Sequence, residues 1–303
     1  MCNSFLLIYT SSRFKKLGFL TFAELSKKNG LKKGIKIAIL DLYEGFPNQG
    51  MRCIREIIHQ FAESNHIDIE LNEYNVRQYL QVPDLSYDAY ISSGGPGSPL
   101  ETIGNAWEQQ YFSWLNSVDE WNKNALNTKK KKIFFICHSF QLACRHYGIG
   151  EVCKRKSTSF GVFPVHMLDA GRNENIFSDL KDPFYAVDSR DYQVIKPNEL
   201  VLQRMNAQIL SIEKERPHVP YERAIMAIRF NENAIGTQFH PEADPVGMRM
   251  YLQTEEKKKA VIDEHGFEKW ESMVAHLQDP DKIVWTHNHI LPAFLQSVQA
   301  ALN

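Results

Sequence analysis

The chain has 303 residues, 43% of them hydrophobic and 12% aromatic, with 35 Lys and Arg against 36 Asp and Glu for a formal net charge of −1. That balance excludes a global field drawing the chain to nucleic acid or a membrane surface, and the apolar share is enough for a substantial core. The five cysteines, Cys2, Cys53, Cys137, Cys144 and Cys153, form no C-x-x-C pair and no disulfide-like framework. A reducing, cytoplasmic location is therefore expected.

Residues 1–34 mix apolar and basic positions without clear periodicity and read as an N-terminal extension, and the run Phe5 to Tyr9 is too short for a signal-peptide core. From Gly34 the pattern becomes regular. Ile35 to Asp41 reads as an opening strand, and Met51, Ile54, Ile57, Ile58 and Phe61 make a core-facing stripe on a helix from about Gly50 to Ser64. Residues 67–74 and Asp88 to Ser92 read as further strands, and Trp107 to Trp121 as a helix. Strand alternating with helix predicts an α/β fold: a three-layer, open, mostly parallel sheet with helices on both faces.

Next comes Ile133-Phe134-Phe135-Ile136, apolar throughout as a central parallel strand should be, running straight into Cys137 and a helix that closes at Gly148. A cysteine at such a junction lies beside unpaired N–H groups and the positive end of a helix dipole, which favour thiolate over thiol. A sharp strand-to-helix turn of this kind exposes a nucleophile and aims backbone N–H groups at a developing oxyanion.

Beyond Gly150 the texture is β-rich, with candidate strands at Ser159 to Leu168, Phe184 to Asp188, Leu200 to Arg204, Ala207 to Glu213 and Ala224 to Phe230. The run Ala234 to Thr237 then leads to Gln238-Phe239-His240-Pro241-Glu242. Pro241 disfavours helix at His240, and in an extended chain residues two apart face the same way, so Glu242 can orient His240 and His240 can serve Cys137 as a base. Residues 249–303 are mostly helical in pattern, with Pro292 suited to the first turn of a helix whose stripe is Leu291, Phe294, Leu295, Val298 and Leu302. His287 and His289 have no carboxylate or cysteine at ligand spacing, so no metal site is expected. One domain over 35–250 with a C-terminal helical extension over 251–303 packed upon it accounts for the pattern.

Three blocks in this order carry a resemblance. They are Ser92-Ser93-Gly94-Gly95-Pro96-Gly97-Ser98-Pro99, the Cys137 junction with Gln141 four residues on, and Gly236-Thr237-Gln238-Phe239-His240-Pro241-Glu242. Together they resemble the class I glutamine amidotransferases, the GMP synthase-like group in particular, whose fold is flavodoxin-like. Members usually have glycine two before and two after the cysteine, where this chain has Phe135 and Ser139, and often Ser-His where it has Ser189-Arg190.

The resemblance implies release of ammonia from the side-chain amide of glutamine by Cys137 as nucleophile, His240 as base and Glu242 as its orienting group. It further implies an oxyanion hole from the backbone N–H groups of Gly95 and His138, with Gly94 and Gln141 contacting substrate. No cofactor is implied. The chain contains no Ser-Gly-Gly-x-Asp-Ser or Walker motif, so a synthase that accepts the ammonia would be a separate subunit. Three readings stay open: a stand-alone glutaminase-type amidotransferase, a hydrolase of γ-glutamyl amides or peptides, and an inactive binding module. A glutamine or γ-glutamyl small molecule is the expected ligand, with neither nucleic acid nor membrane as partner.

Finally, a benzyl group at 135, where relatives have hydrogen, predicts a small facing residue, with Ala38 in the opening strand as the candidate.

Overall fold

The apolar strands of the sequence send alternate side chains to opposite faces of one sheet, and each face is covered by its own helices. The computed structural model describes residues 32–217, 219–277, 279 and 282–302. Residues 33–303 form one compact unit, and the expected N-terminal extension lies almost wholly outside the described residues.

The order is β1 (Lys32–Asp41), α1 (Gln49–Asn65), β2 (Ile67–Asn75), α2 (Val76–Tyr79), β3 (Ala89–Ser92), α3 (Ala106–Lys123), β4 (Lys132–Ile136), α4 (His138–Tyr147), β5 (Glu151–Met167), α5 (Asp169–Arg172), β6 (Phe184–Ile195), α6 (Glu199–Met205), β7 (Gln208–Glu213), β8 (Ile225–Asn231), β9 (Ala234–Thr237), α7 (Pro245–Leu252), α8 (Glu255–His265), α9 (Phe267–His276) and α10 (Ile283–Leu302). The nine strands lie in the order β2-β1-β3-β4-β9-β8-β7-β5-β6. The pairs β1–β3, β3–β4 and β4–β9 are parallel. From β9 outwards the pairs are antiparallel, which suits the two-residue turn joining β8 to β9. This is the expected open α/β sheet, and the parallel half carries both Cys137 and, just past β9, His240.

Strand β4 shows the alternation directly. Phe134 and Ile136 join a core beneath α1 and α10, with the Phe134 ring edge-on to Phe294 at 5.3 Å, while Ile133 and Phe135 join a second core beneath α3 and α4. Three layers follow from that two-sided burial. A third apolar cluster packs α7, α8 and α9 on the β5–β6 hairpin through Phe160, Val162, Val187, Met248 and Met273. Among the described residues no helix is long and apolar enough to cross a membrane.

Two local expectations are corrected. Leu200 to Arg204 is helical within α6, because Asn198 caps Val201 N and Asn206 closes the helix in the left-handed conformation; only Leu202 needs burial, so the apolar pattern was too sparse to mark the period. Pro292 lies in the interior of α10 and not in its first turn. The one N–H it lacks is tolerated because Ile290, Leu291, Phe294 and Leu295 anchor the helix on both sides of the break. Because those residues belong to the main core, α10 is a layer of the domain itself.

Phe135 is fully buried, edge-on to Phe230 at 5.6 Å. Small neighbours do make its room, but Ala38 is not one of them. In register, Ala38 pairs with Tyr90 and Tyr90 with Ile133, whereas Phe135 lies between Ser92 and Gly236. A Cβ on Gly236 would come within 2.9 Å of the Phe135 Cβ, so glycine at 236 leaves room for a side chain at 135. Phe135→Gly should therefore cost about 3–5 kcal/mol through the cavity left in a packed core. A thermal melt checks this: the midpoint should fall, and an unchanged or raised midpoint would mean that the ring is strained in place.

Candidate active site

Cys137 follows β4 directly and precedes α4 with φ 49° and ψ −95°, a strained conformation for a residue with a side chain. Its N–H donates to Thr237 O at 2.8 Å, tying the end of β4 to the end of β9. Ser139 meets the usual glycine position without conflict: its hydroxyl donates to Ser92 O at 2.7 Å and accepts Ile136 N–H at 2.8 Å. The cysteine sulfur is almost completely buried, 3.8 Å from Ser189 O and 3.7 Å from Gln238 Nε2.

Past β9 the chain stays extended, and His240 N–H donates to Val187 O at 2.8 Å, which holds the histidine against β6. Its Nδ1 is 2.8 Å from Glu242 Oε1, and the Cys137 sulfur is near enough to the ring to act on its charge. Burial alone would depress the His240 pKa, but the Glu242 carboxylate and then the Cys137 sulfur outweigh it and hold the imidazolium well above its usual range. Glu242 is itself 1% exposed, and its carbonyl accepts a hydrogen bond from His287 Nδ1 at 2.8 Å. His289 instead bonds Trp285 O and stacks on the Trp285 ring.

The glycine loop closes the site from the β3 side. A Cβ on Gly94 would lie 2.9 Å from His240 Cε1 and 3.0 Å from the Tyr43 hydroxyl, so glycine here is a condition for the histidine's position. At Gly95 a Cβ would strike Leu42 O at 2.5 Å, so the need for glycine comes from the chain just past β1. Arg77 fixes the loop by donating to Leu42 O at 3.3 Å and Pro96 O at 2.7 Å, and Arg145 donates to Pro99 O. The His138 ring is buried near these two arginines; burial first, then Arg77 and Arg145, push its pKa down to about 3, so it is a neutral imidazole. Its N–H is the first of α4, where helical N–H groups have no partner within the helix.

Gln141, expected to face substrate, has its Nε2 held internally by Tyr192 O and Gln238 Oε1, both at 3.2 Å. Two further residues at the site went unread. Gln238 is two positions before His240 in the same extended run, so the alternation that paired His240 with Glu242 also turns Gln238 towards Cys137. Tyr43 follows β1 at the carboxyl end of a parallel strand, where such sheets bind ligands. Burial and then Glu242 and Cys137 raise its pKa well above the usual phenol value, so its hydroxyl stays protonated.

Arg190, without an expected role, is buried behind the wall of the site. It donates Nε to both Asp188 oxygens at 2.9 and 3.0 Å, Nη2 to Glu213 at 3.2 Å and Nη1 to Tyr192 O at 3.3 Å. Arg155 and Arg216 converge on the same Glu213. The cluster thus pins the strand that supplies the Ser189 and Tyr192 carbonyls.

The arrangement can carry a thiol nucleophile, a proton carrier beside it and a carboxylate behind that carrier. No curated protein matches the chain. Among solved structures, SMU.1228c superposes with a TM-score of 0.58 at 20% identity, covering 87% of this chain and 99% of its own. A glutamine amidotransferase from Thermotoga maritima gives 0.58 at 13%, covering 88% and 98%, and one from Methylobacillus flagellatus gives 0.55 at 12%, covering 87% and 95%. At those identities the likeness is one of fold. Residues 46–257, which span β3 with its glycine loop, the Cys137 turn and the His240–Glu242 pair, match the family described as glutamine amidotransferase class-I, and the chain belongs to that family.

Proposed function

We propose that the protein is a GMP synthase-like glutaminase that hydrolyses the side-chain amide of glutamine through a Cys137-His240-Glu242 triad, releasing ammonia for a separate synthase subunit. The observation that carries this reading is the position of His240, hydrogen-bonded to Glu242 at 2.8 Å and under the electrostatic influence of Cys137, which sits at a strained strand-to-helix turn.

The chemistry follows from the charges. A thiolate at Cys137 attacks the amide carbon, and the oxygen of the tetrahedral adduct takes hydrogen bonds from the N–H groups of His138 and Gly95. His240, held as the imidazolium, protonates the nitrogen as the carbon–nitrogen bond breaks, so ammonia leaves and a γ-glutamyl thioester remains. Water then attacks the thioester, His240 takes the proton, and glutamate departs as the thiolate re-forms. Glu242 keeps the imidazolium protonated until the leaving group needs it. Gly94 gives the ring its place, and the neutral His138 ring takes no part in proton transfer.

A substrate panel tests the reading. Ammonia should be released from glutamine, and Cys137→Ala should abolish release while leaving the thermal midpoint close to that of the parent. Release of amino acid from γ-glutamyl dipeptides, with glutamine untouched, would replace glutamine by a larger γ-glutamyl substrate. Retention of a tenth of the activity in Cys137→Ala would remove Cys137 as nucleophile.

The raised His240 pKa gives a signed expectation for pH. The group delivering the proton is the imidazolium, so activity declines on the alkaline side as His240 deprotonates. Glu242→Gln removes the largest influence holding that proton, so its alkaline limb should move to lower pH, with a smaller loss at the optimum than in His240→Ala. An alkaline limb unchanged in Glu242→Gln would contradict the role given to Glu242.

A further inference from the structure

Gln238 is fully buried, with its N–H bound to Met226 O at 2.8 Å and its side-chain amide directed at the nucleophile. An amide can be turned either way round, and its two ends differ in chemistry: the nitrogen donates and the oxygen only accepts. Here the choice is settled two hydrogen bonds away. Tyr192 offers a backbone carbonyl, which only accepts, so Gln141 must turn its Nε2 towards it at 3.2 Å. The other N–H of that nitrogen meets Gln238 at 3.2 Å, which fixes the Gln238 oxygen on that side. The Gln238 nitrogen is left facing Cys137 Sγ at 3.7 Å, within reach of a hydrogen bond to sulfur.

The sulfur's other polar neighbour on this side is Ser189 O at 3.8 Å. A carbonyl oxygen can pair only with the thiol, by accepting its proton, and it repels the thiolate. Of these two neighbours the amide N–H is the one that can pair with the thiolate, and it adds to the His240 imidazolium and the protonated Tyr43 hydroxyl that also face this sulfur. We infer that Gln238 is a positioning residue for the nucleophile: its side-chain N–H, oriented by Gln141 and the Tyr192 carbonyl, holds Cys137 Sγ as the thiolate against the opposing carbonyl of Ser189. This rests on Cys137 being the nucleophile proposed above. It also gives Gln141 a second duty besides any contact with substrate, and gives the buried Arg190 cluster one as well, since Arg190 Nη1 holds the same Tyr192 carbonyl at 3.3 Å.

The test reads thiolate directly and needs no substrate. The rate of alkylation of Cys137 by iodoacetamide is followed against pH, with peptide mass spectrometry separating Cys137 from the other cysteines. In Gln238→Leu, which removes donor and acceptor together, the rise in alkylation should move to higher pH by about one unit, so that alkylation near neutrality is roughly tenfold slower and recovers in alkali. Gln238→Glu, which puts a carboxylate where the donor was, should move it at least as far. Gln141→Leu, which frees the Gln238 amide, should move it in the same direction by less. A folded Gln238→Leu with the parent's alkylation profile overturns the inference; if that variant does not fold, an unchanged profile in Gln141→Leu overturns it. Should the parent release no ammonia or amino acid from any γ-glutamyl substrate, the proposed function fails while the alkylation result still decides the role of Gln238.

Discussion

The backbone hydrogen bond from Cys137 N to Thr237 O, 2.8 Å, joins the carboxyl ends of two adjacent parallel strands, and the rest of the site depends on it. It brings together two stretches 100 residues apart in the chain and requires β4 and β9 to lie in register to their last residues. The register is possible because Gly236 leaves room beside Phe135. The turn that follows strains Cys137, a cost of order 1–3 kcal/mol for an unfavourable backbone conformation that only firm surroundings can sustain. Those surroundings are the two cores on either side of β4 and the Ser139 hydroxyl, which ties β3, β4 and α4 at one point.

Charge is arranged around Cys137 in two groups. On one side stand the His240 imidazolium and buried Glu242. Behind β6, three arginines share Asp188 and Glu213, and the crowding shows in Arg155, whose pKa is brought down to about 10 by burial first and by Arg190 and then Arg216 against the pull of Glu213. Ion pairs so deeply buried add little net stability, because desolvation offsets much of their attraction. Their effect is geometric: they fix the strand whose carbonyls at Ser189 and Tyr192 face Cys137 and Gln141. Relatives often have histidine where Arg190 stands, and in this chain the arginine reaches deeper, to Glu213 and Met226 on two other strands.

Much of this was legible in the sequence. The apolar run before Cys137, the Pro241 that keeps His240 extended, and the two-residue spacing of His240 and Glu242 each have a local physical meaning, and the structure brings the three residues together. What local pattern could not supply was partnership across the sheet. The residues beside Phe135 come from β3 and β9, so Ser92 and Gly236 could be named only once strand order and register were known, and Ala38, chosen from the opening strand, lay two strands away. Arg190 was opaque in part for the same reason, since beyond Asp188 and Tyr192 on its own strand it reaches Glu213 and Met226 on two others. Gln238 is the exception: the alternation that paired His240 with Glu242 already pointed it at Cys137. At α6 the burial of one residue, Leu202, left too weak a stripe to distinguish helix from strand.

The central claim is that Cys137 attacks the γ-carbonyl carbon of a glutamine-like substrate. It is tested most directly by treating the protein with a chloroketone analogue of glutamine, which presents an electrophilic carbon where the amide would be, and mapping the adduct by mass spectrometry. The account predicts one adduct, on Cys137, whose formation is slowed by glutamine. Labelling of another cysteine in preference to Cys137, or labelling of Cys137 that glutamine does not slow, would contradict it.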